Sequence, residues 1–147
     1  MKIPAYIETT TAQNIGRITL GLFMLAAGIG HLTFARTAFQ AQVPNWVPFF
    51  SKDFVVVASG YVEIALALSL LFLKSKRVYV GIFLGIFFIL IFPGNIEQYT
   101  LQKDMTGLDT DAKRLGRLFF QPLLVYLALW STGAVKALRL KFKMQNS

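Results

Sequence analysis

Four long apolar blocks constrain this chain more than any other feature of its sequence. They run at about 15–34, 54–73, 78–96 and 118–138. A helix rising 1.5 Å per residue needs about 20 residues to cross a hydrocarbon core about 30 Å thick. In every block the apolar side chains occur all round rather than along one stripe, as expected when one face meets lipid. Lipid offers no water to an unpaired backbone group, so open sheet edges cannot persist there. The expected fold is therefore all-α: an integral membrane four-helix bundle, one transmembrane domain over residues 1–147, with outer loops at 35–53 and 97–116.

The charges support that reading. The chain carries a formal charge of +8. A nucleic-acid binder gathers its Lys and Arg on one accessible face. Here they sit between the apolar blocks, which is how membrane proteins distribute them. The lipid bilayer is the expected partner, and nucleic acid is not. Cysteine is absent, which excludes a disulfide framework, a thiolate nucleophile, an iron–sulfur cluster and a Cys-ligated zinc site. His31 is the sole histidine, so one chain cannot supply a bis-histidine haem or a His-rich metal site. No flavin, haem or nucleotide motif is present, so no cofactor is evident.

The segment before the first block is mixed, with Glu8 and three threonines. A signal peptide would place its apolar run sooner and end in a small-residue cleavage site. Thr10 followed by Gln13 predicts a capping box that opens the first helix. Orientation follows from Lys and Arg. Lys2, Arg17, Lys74, Lys76, Arg77, Lys136, Arg139, Lys141 and Lys143 share one side, with Glu8 as its one acid. Arg36, Lys52, Lys103, Lys113, Arg114 and Arg117 fall on the other. The first set is larger, so both termini are expected in the cytoplasm, with the protein multi-pass in the membrane. The tail from Lys136 to Lys143 suits an anionic leaflet.

The loops differ in kind. Lys74 to Arg77 reads as a tight turn, so helices two and three are antiparallel neighbours. The first outer loop holds Phe39, Pro44, Trp46, Pro48, Phe49 and Phe50, a composition suited to the headgroup level. The second outer loop is polar and reads as solvated loop or short helix. Gly81 and Gly85 have the spacing that lets helices approach closely, within the bundle or between protomers of a homo-oligomer.

Polar residues inside apolar blocks are the informative exceptions. Glu63 lies near the middle of the second block. An acidic residue at a helix centre costs roughly 2.5–3.5 kcal/mol on insertion, so it normally faces a partner or water. It reads either as a proton-handling or ligand-binding acid, or as a packing device hydrogen-bonded to a neighbouring helix. His31 lies near the outer end of the first block and reads as a ligand group or as an interfacial histidine. Asn95 follows Pro93 and Gly94, where a local helix break and simple helix termination are equal readings. Arg117 and Gln121 are one turn apart and share a face. Pro122 is expected to be tolerated there as a residue near the helix start. His31, Asn95, Arg117 and Gln121 fall within a turn or two of the outer surface, with Glu63 below them. The cytoplasmic halves hold no comparable set. The expectation is a polar pocket open to the outer side, built from all four helices and floored by Glu63.

These positions and their surroundings resemble the DoxX-like family of small bacterial membrane proteins. The resemblance rests on Gly28–Ile29–Gly30–His31–Leu32, Val43–Pro44–Asn45–Trp46–Val47–Pro48 and Ser59–Gly60–Tyr61–Val62–Glu63–Ile64. It continues in Phe92–Pro93–Gly94–Asn95–Ile96 and Arg117–Leu118–Phe119–Phe120–Gln121. The pieces stand in the family's order and cover about residues 15–135. The chain departs from the family at Phe119, where a proline is usual, and at Gly94, where alanine is common. The resemblance implies a four-helix membrane protein. Most such proteins lack a defined activity, and some relatives are linked to quinone-coupled oxidation of sulfur compounds or to membrane redox complexes.

Taken together, the expected function is a binding protein or a redox-complex accessory holding a small amphipathic ligand. A quinone head group suits the pocket, with His31, Asn95 and Gln121 bonding carbonyls and Glu63 exchanging protons. Electrons would come from a membrane redox partner, so any enzymatic role is that of an oxidoreductase subunit. The alternatives are a proton-linked small-solute transporter and a non-catalytic assembly or scaffold protein.

Overall fold

The structure, a computed structural model, describes residues 2–47, 49–105 and 107–146. Pro48, part of the aromatic loop and of the family resemblance, lies outside the described residues. Among the described residues six helices follow in order: α1 Thr11–Leu32, α2 Arg36–Phe39, α3 Lys52–Phe72, α4 Arg77–Thr100, α5 Asp111–Ser131 and α6 Ala134–Gln145. Short 3-10 turns at Gln40–Gln42 and Lys74–Lys76 join them. The all-α class is as expected, but the count of four helices is not.

Helix starts obey their capping residues. The Thr10 hydroxyl accepts from the Gln13 backbone N–H at 3.2 Å, and Gln13 Oε1 accepts from the Thr10 N–H at 2.9 Å. The expected capping box is present. Ser51 caps α3 by accepting from the Phe54 N–H at 3.1 Å. Thr110 caps α5 by accepting from Lys113 at 3.3 Å. Each cap satisfies a donor that the helix itself leaves unpaired.

Two expectations about helix ends need correction. α4 neither breaks nor stops at Phe92–Asn95; it runs through Pro93 to Thr100. Hydropathy falls at Glu97 and Gln98, yet Gln98 is buried and Glu97 is paired with Lys103 at 2.7 Å. Tertiary partners therefore carry the helix past the apolar run. The fourth block is also not one helix. α5 starts at Asp111, so Pro122 sits in its interior rather than near its start. α5 ends at Ser131, and α6 departs at 75°. Gly133 makes that bend at φ 80°, a left-handed conformation that suits glycine. Thr132 assists by turning its hydroxyl back to the Ala128 carbonyl at 2.8 Å.

The long helices pack mainly as two pairs, α1 with α3 and α4 with α5. In the first pair, Gly28 and Gly60 let the backbones meet. A Cβ on Gly28 would lie 2.9 Å from the Gly60 carbonyl oxygen. In the second pair, Gly81 faces Thr132 and the Ala128 carbonyl, and Gly85 faces Leu129 and Val125. The glycine pair thus serves a contact within the chain. Leu20, Met24, Ala67, Leu70, Leu84, Phe88, Leu124 and Ala128 fill the space between the pairs. Outward-facing positions stay apolar, including Leu22, Phe72, Phe83, Leu90 and Phe119. Among the described residues, three helices (α1, α3 and α4, the last taken with its preceding turn) are long and apolar enough to cross a membrane. The count becomes four if the bent pair α5 and α6 is one span.

The end of the bundle that carries the chain termini is more polar than expected. Arg17 is buried and Nη1 donates to the carbonyls of Leu70 and Leu71, which end α3 without helical partners. Arg77 is buried and donates to the Ile7 carbonyl, with its guanidinium 4.3 Å from the centre of the Tyr6 ring. Val78 donates to Ala5 at 3.1 Å and Tyr79 to Ile3 at 2.7 Å. These bonds tie residues 3–9 across that end as a strap. The expectation that this half lacks a polar set is overturned. Its arginines are buried because they satisfy backbone carbonyls that no water reaches.

Candidate functional site

The opposite end holds a partly open cavity of about 330 Å³ lined by both helix pairs. That volume falls at the lower end of the range for small-ligand sites. His31 on α1, Glu63 on α3, Asn95 on α4 and Arg117 on α5 all line it. One residue from each long helix is brought together, as expected.

His31 is set by α3. Its Nδ1 lies 2.9 Å from Ser59 Oγ, and that hydroxyl donates to the Val56 carbonyl at 2.9 Å. Ser59 has one proton and uses it on Val56, so His31 Nδ1–H is the donor between them. Nε2 is left as an acceptor. The imidazole packs on Phe39 with ring centres 3.8 Å apart. The Gly28–Gly60 contact makes this reach feasible, because a Cβ on Gly60 would lie 2.8 Å from His31 Cβ.

Glu63 sits one turn beyond Ser59 on the same face. Its side chain is 94% buried, and Oε2 is 3.5 Å from His31 Nδ1. That N–H is directed at Ser59, and Oε2 has no hydrogen-bond partner among the described residues. A buried carboxyl oxygen with unused capacity beside a void is costly unless something occupies the void. Arg117, which also lines the cavity, interacts electrostatically with Glu63, with no ion pair between them.

Gln121 takes a different part from the one expected. It does not line the cavity. Its Oε1 accepts from Arg117 Nη1 at 2.6 Å and from Asn95 Nδ2 at 3.2 Å. Its Nε2 donates to the Phe88 carbonyl at 2.6 Å. Gln121 is therefore a positioning residue that ties α4 to α5 and aims Asn95 and Arg117. Both ends of its amide are taken up by Arg117, Asn95 and the Phe88 carbonyl of α4.

The first outer loop folds over the cavity. Phe39, Val43, Pro44 and Trp46 line it, joined by Met105 and Leu108 from the second loop. Lys103 latches the two loops, donating to Glu97 Oε1 at 2.7 Å and Asn45 Oδ1 at 3.2 Å. The Asn45 N–H also donates to Glu97 Oε1 at 2.7 Å. The second loop is thus not simply solvated; Lys103 and Glu97 are mostly covered. Gly94 leaves room for the Gln42 carbonyl, which a Cβ would strike. Phe119 is exposed and does not line the cavity.

Sequence reasoning missed Ser59, Lys103 and Phe39. Ser59 was detectable, being the polar residue four before Glu63 in an apolar helix. Lys103 carried no such signal, because its partners lie on other segments.

Among the described residues no group of three or more His, Asp or Glu side chains is arranged to hold a metal ion. Fold and site together define a small all-helical protein with apolar long helices and a largely apolar cavity, carrying a few polar side chains, under a latched loop. The chain belongs to a family described as a domain of unknown function (DUF8561), whose model matches residues 20–132. That span contains all five candidate residues and stops at the bend before α6. No curated protein and no solved structure matches the chain.

Proposed function

We propose that this is a DoxX-like integral membrane protein whose cavity binds the polar head of a small amphipathic ligand. A quinone head group is the best-suited class. The carrying observation is Glu63: a buried carboxyl whose Oε2 faces a cavity with no partner, next to His31. Arg117, Asn95 and His31 supply donors or acceptors for the carbonyl oxygens of such a ligand, and Glu63 donates when protonated and accepts when ionised. The volume suits a head group rather than a whole prenylated molecule. Phe23 and Leu90 also line the cavity, and both are exposed near the middle of their helices. An apolar tail would leave by that rim into lipid.

In this reading α1, α3, α4 and α5 span the cytoplasmic membrane of a bacterium. The termini face the cytoplasm because Lys74, Lys76, Lys136, Arg139, Lys141 and Lys143 gather there against Glu8 alone. The cavity then opens to the outer half. Electron transfer would need a membrane redox partner, which makes the protein an accessory or subunit.

Trp46 lines the cavity and reports on occupancy. Titration of the purified protein with a short-chain benzoquinone should quench its fluorescence saturably. His31→Ala should weaken binding about tenfold or more, the expected cost of losing a buried hydrogen-bond partner. Affinity unchanged in both His31→Ala and Glu63→Gln rejects the site.

A further inference from the structure

The two helix pairs are joined differently at their two ends. At the termini end they are bonded and packed together. Gln13 of α1 donates to the Trp130 carbonyl of α5 at 2.6 Å. The strap leading into α1 is held by Arg77, Val78 and Tyr79 of α4. Leu20, Ala67, Leu70, Leu84 and Ala128 fill that half of the bundle. At the other end the cavity lies between the pairs, and each pair bonds its polar side chains internally. His31 meets Ser59 within the first pair. Gln121 gathers Asn95, Arg117 and the Phe88 carbonyl within the second.

The outer loops divide in the same way. The first is tied to α3, through Arg36 with Asp53 and through Lys52 with Asn45 at 2.7 Å. The second is tied to α4 and α5, through Lys103 with Glu97 and through Arg114 with Asp104 at 2.8 Å. Among the described residues, the hydrogen bonds that join the pairs at this end all belong to one latch. Asn45 donates to Glu97, and Lys103 to Asn45 and the Val43 carbonyl, beside the close approach of the Gln42 carbonyl to Gly94. Leu90 marks the seam that the latch spans. It lines the cavity with Val55, Val56 and Ser59 of α3, yet 71% of it is exposed. It lies about 140° round α4 from Gly85, the residue that packs on α5. The cavity wall at Leu90 is therefore on the α3 side of α4.

We propose that the α4–α5 pair swings as a jaw about the termini end, and that the ligand enters from lipid through the α3–α4 seam at Leu90. Release of the latch opens the jaw. Glu63 on one pair and Arg117 on the other interact electrostatically with no ion pair between them. A head group that reaches both draws the pairs together, which is the differential binding that closure requires. The inference rests on the ligand reading above and adds the route by which that ligand arrives.

The chain has no cysteine, so paired spin labels carry no background. Labels at Phe54→Cys on α3 and Leu115→Cys on α5, both exposed near the cavity end, report the jaw. Labels at Phe72→Cys and Phe83→Cys report the termini end. A swing of about 10° moves the far end of a helix of 21 residues by about 5 Å. Lys103→Ala should lengthen the distance between 54 and 115 by about 5 Å. A short-chain benzoquinone should reverse that change, and the distance between 72 and 83 should stay fixed. No lengthening in Lys103→Ala, or an equal change at both pairs of labels, overturns the jaw. For the route, a bulky methanethiosulfonate on Leu90→Cys should slow the quenching of Trp46 by the benzoquinone several-fold, and its removal should restore the rate. An unaffected rate overturns entry at this seam, as does slowing by the same group on Phe23→Cys alone. Saturable quenching in any of these cases leaves the ligand reading standing. Absence of quenching refutes that reading and the entry route with it, while the label distances still decide the jaw.

Discussion

The two ends of this bundle bury polar side chains in different ways. At the termini end, Arg17, Arg77 and Gln13 reach backbone carbonyls of α3, the strap and α5. At the cavity end, Glu63 Oε2 has no hydrogen-bond partner among the described residues, and Glu63 and His31 line a partly open cavity. The termini end also has leftover atoms, Arg17 Nε and Ser131 Oγ, but neither residue lines the cavity. The lesson is that burial of a charged side chain does not mark a site. Unused hydrogen-bonding capacity facing a cavity does.

This contrast can be broken by mutation. Arg17→Ala should have the largest effect on stability, about 3 kcal/mol, because it strands two carbonyls at the end of α3 in a buried setting. Thermal unfolding in detergent measures it, and a loss under about 1 kcal/mol would remove the structural role assigned to that end. Glu63→Gln keeps shape and should cut ligand affinity about tenfold while leaving the melting temperature near that of the unchanged protein. A large fall in melting temperature with affinity preserved would move Glu63 to the structural class. Lys103→Ala should release the latch between the outer loops. Hydrogen exchange at residues 40–47 should then accelerate several-fold, with little change in the termini strap. Thr10→Ala should have the smallest effect, about 1 kcal/mol, as the loss of one exposed N-cap. It sharpens the comparison by separating helix capping from the buried arginine bonds nearby.

Much of the fold was legible before any coordinates. The capping pair Thr10 and Gln13 marked the start of α1 because the motif is local, and Ser51 and Thr110 act in the same way. Glu63 and His31 stood out because an acid or histidine in an apolar block is costly without a partner, although packing and interfacial readings stood beside the ligand reading. The partners of Gln121 were not legible, because Asn95 and Arg117 reach it from two directions. The outer loop read as an interfacial segment, yet part of it covers the cavity, held by Lys103 from a loop far along the chain. The buried arginines at the termini end resembled ordinary topogenic charges, because composition records a charge and not its exposure.

Sequence alone determined the helical class, four apolar blocks, three of which are single long helices, and a short list of polar residues within them. Hydropathy and capping act over a few turns of chain, so one strand of text contains them. Tertiary structure decided the rest: the bend at Gly133, the run of α4 past Pro93, the termini strap, and which polar groups face a void. Each of these depends on a partner distant in sequence, and a linear pattern holds no record of which distant groups will meet.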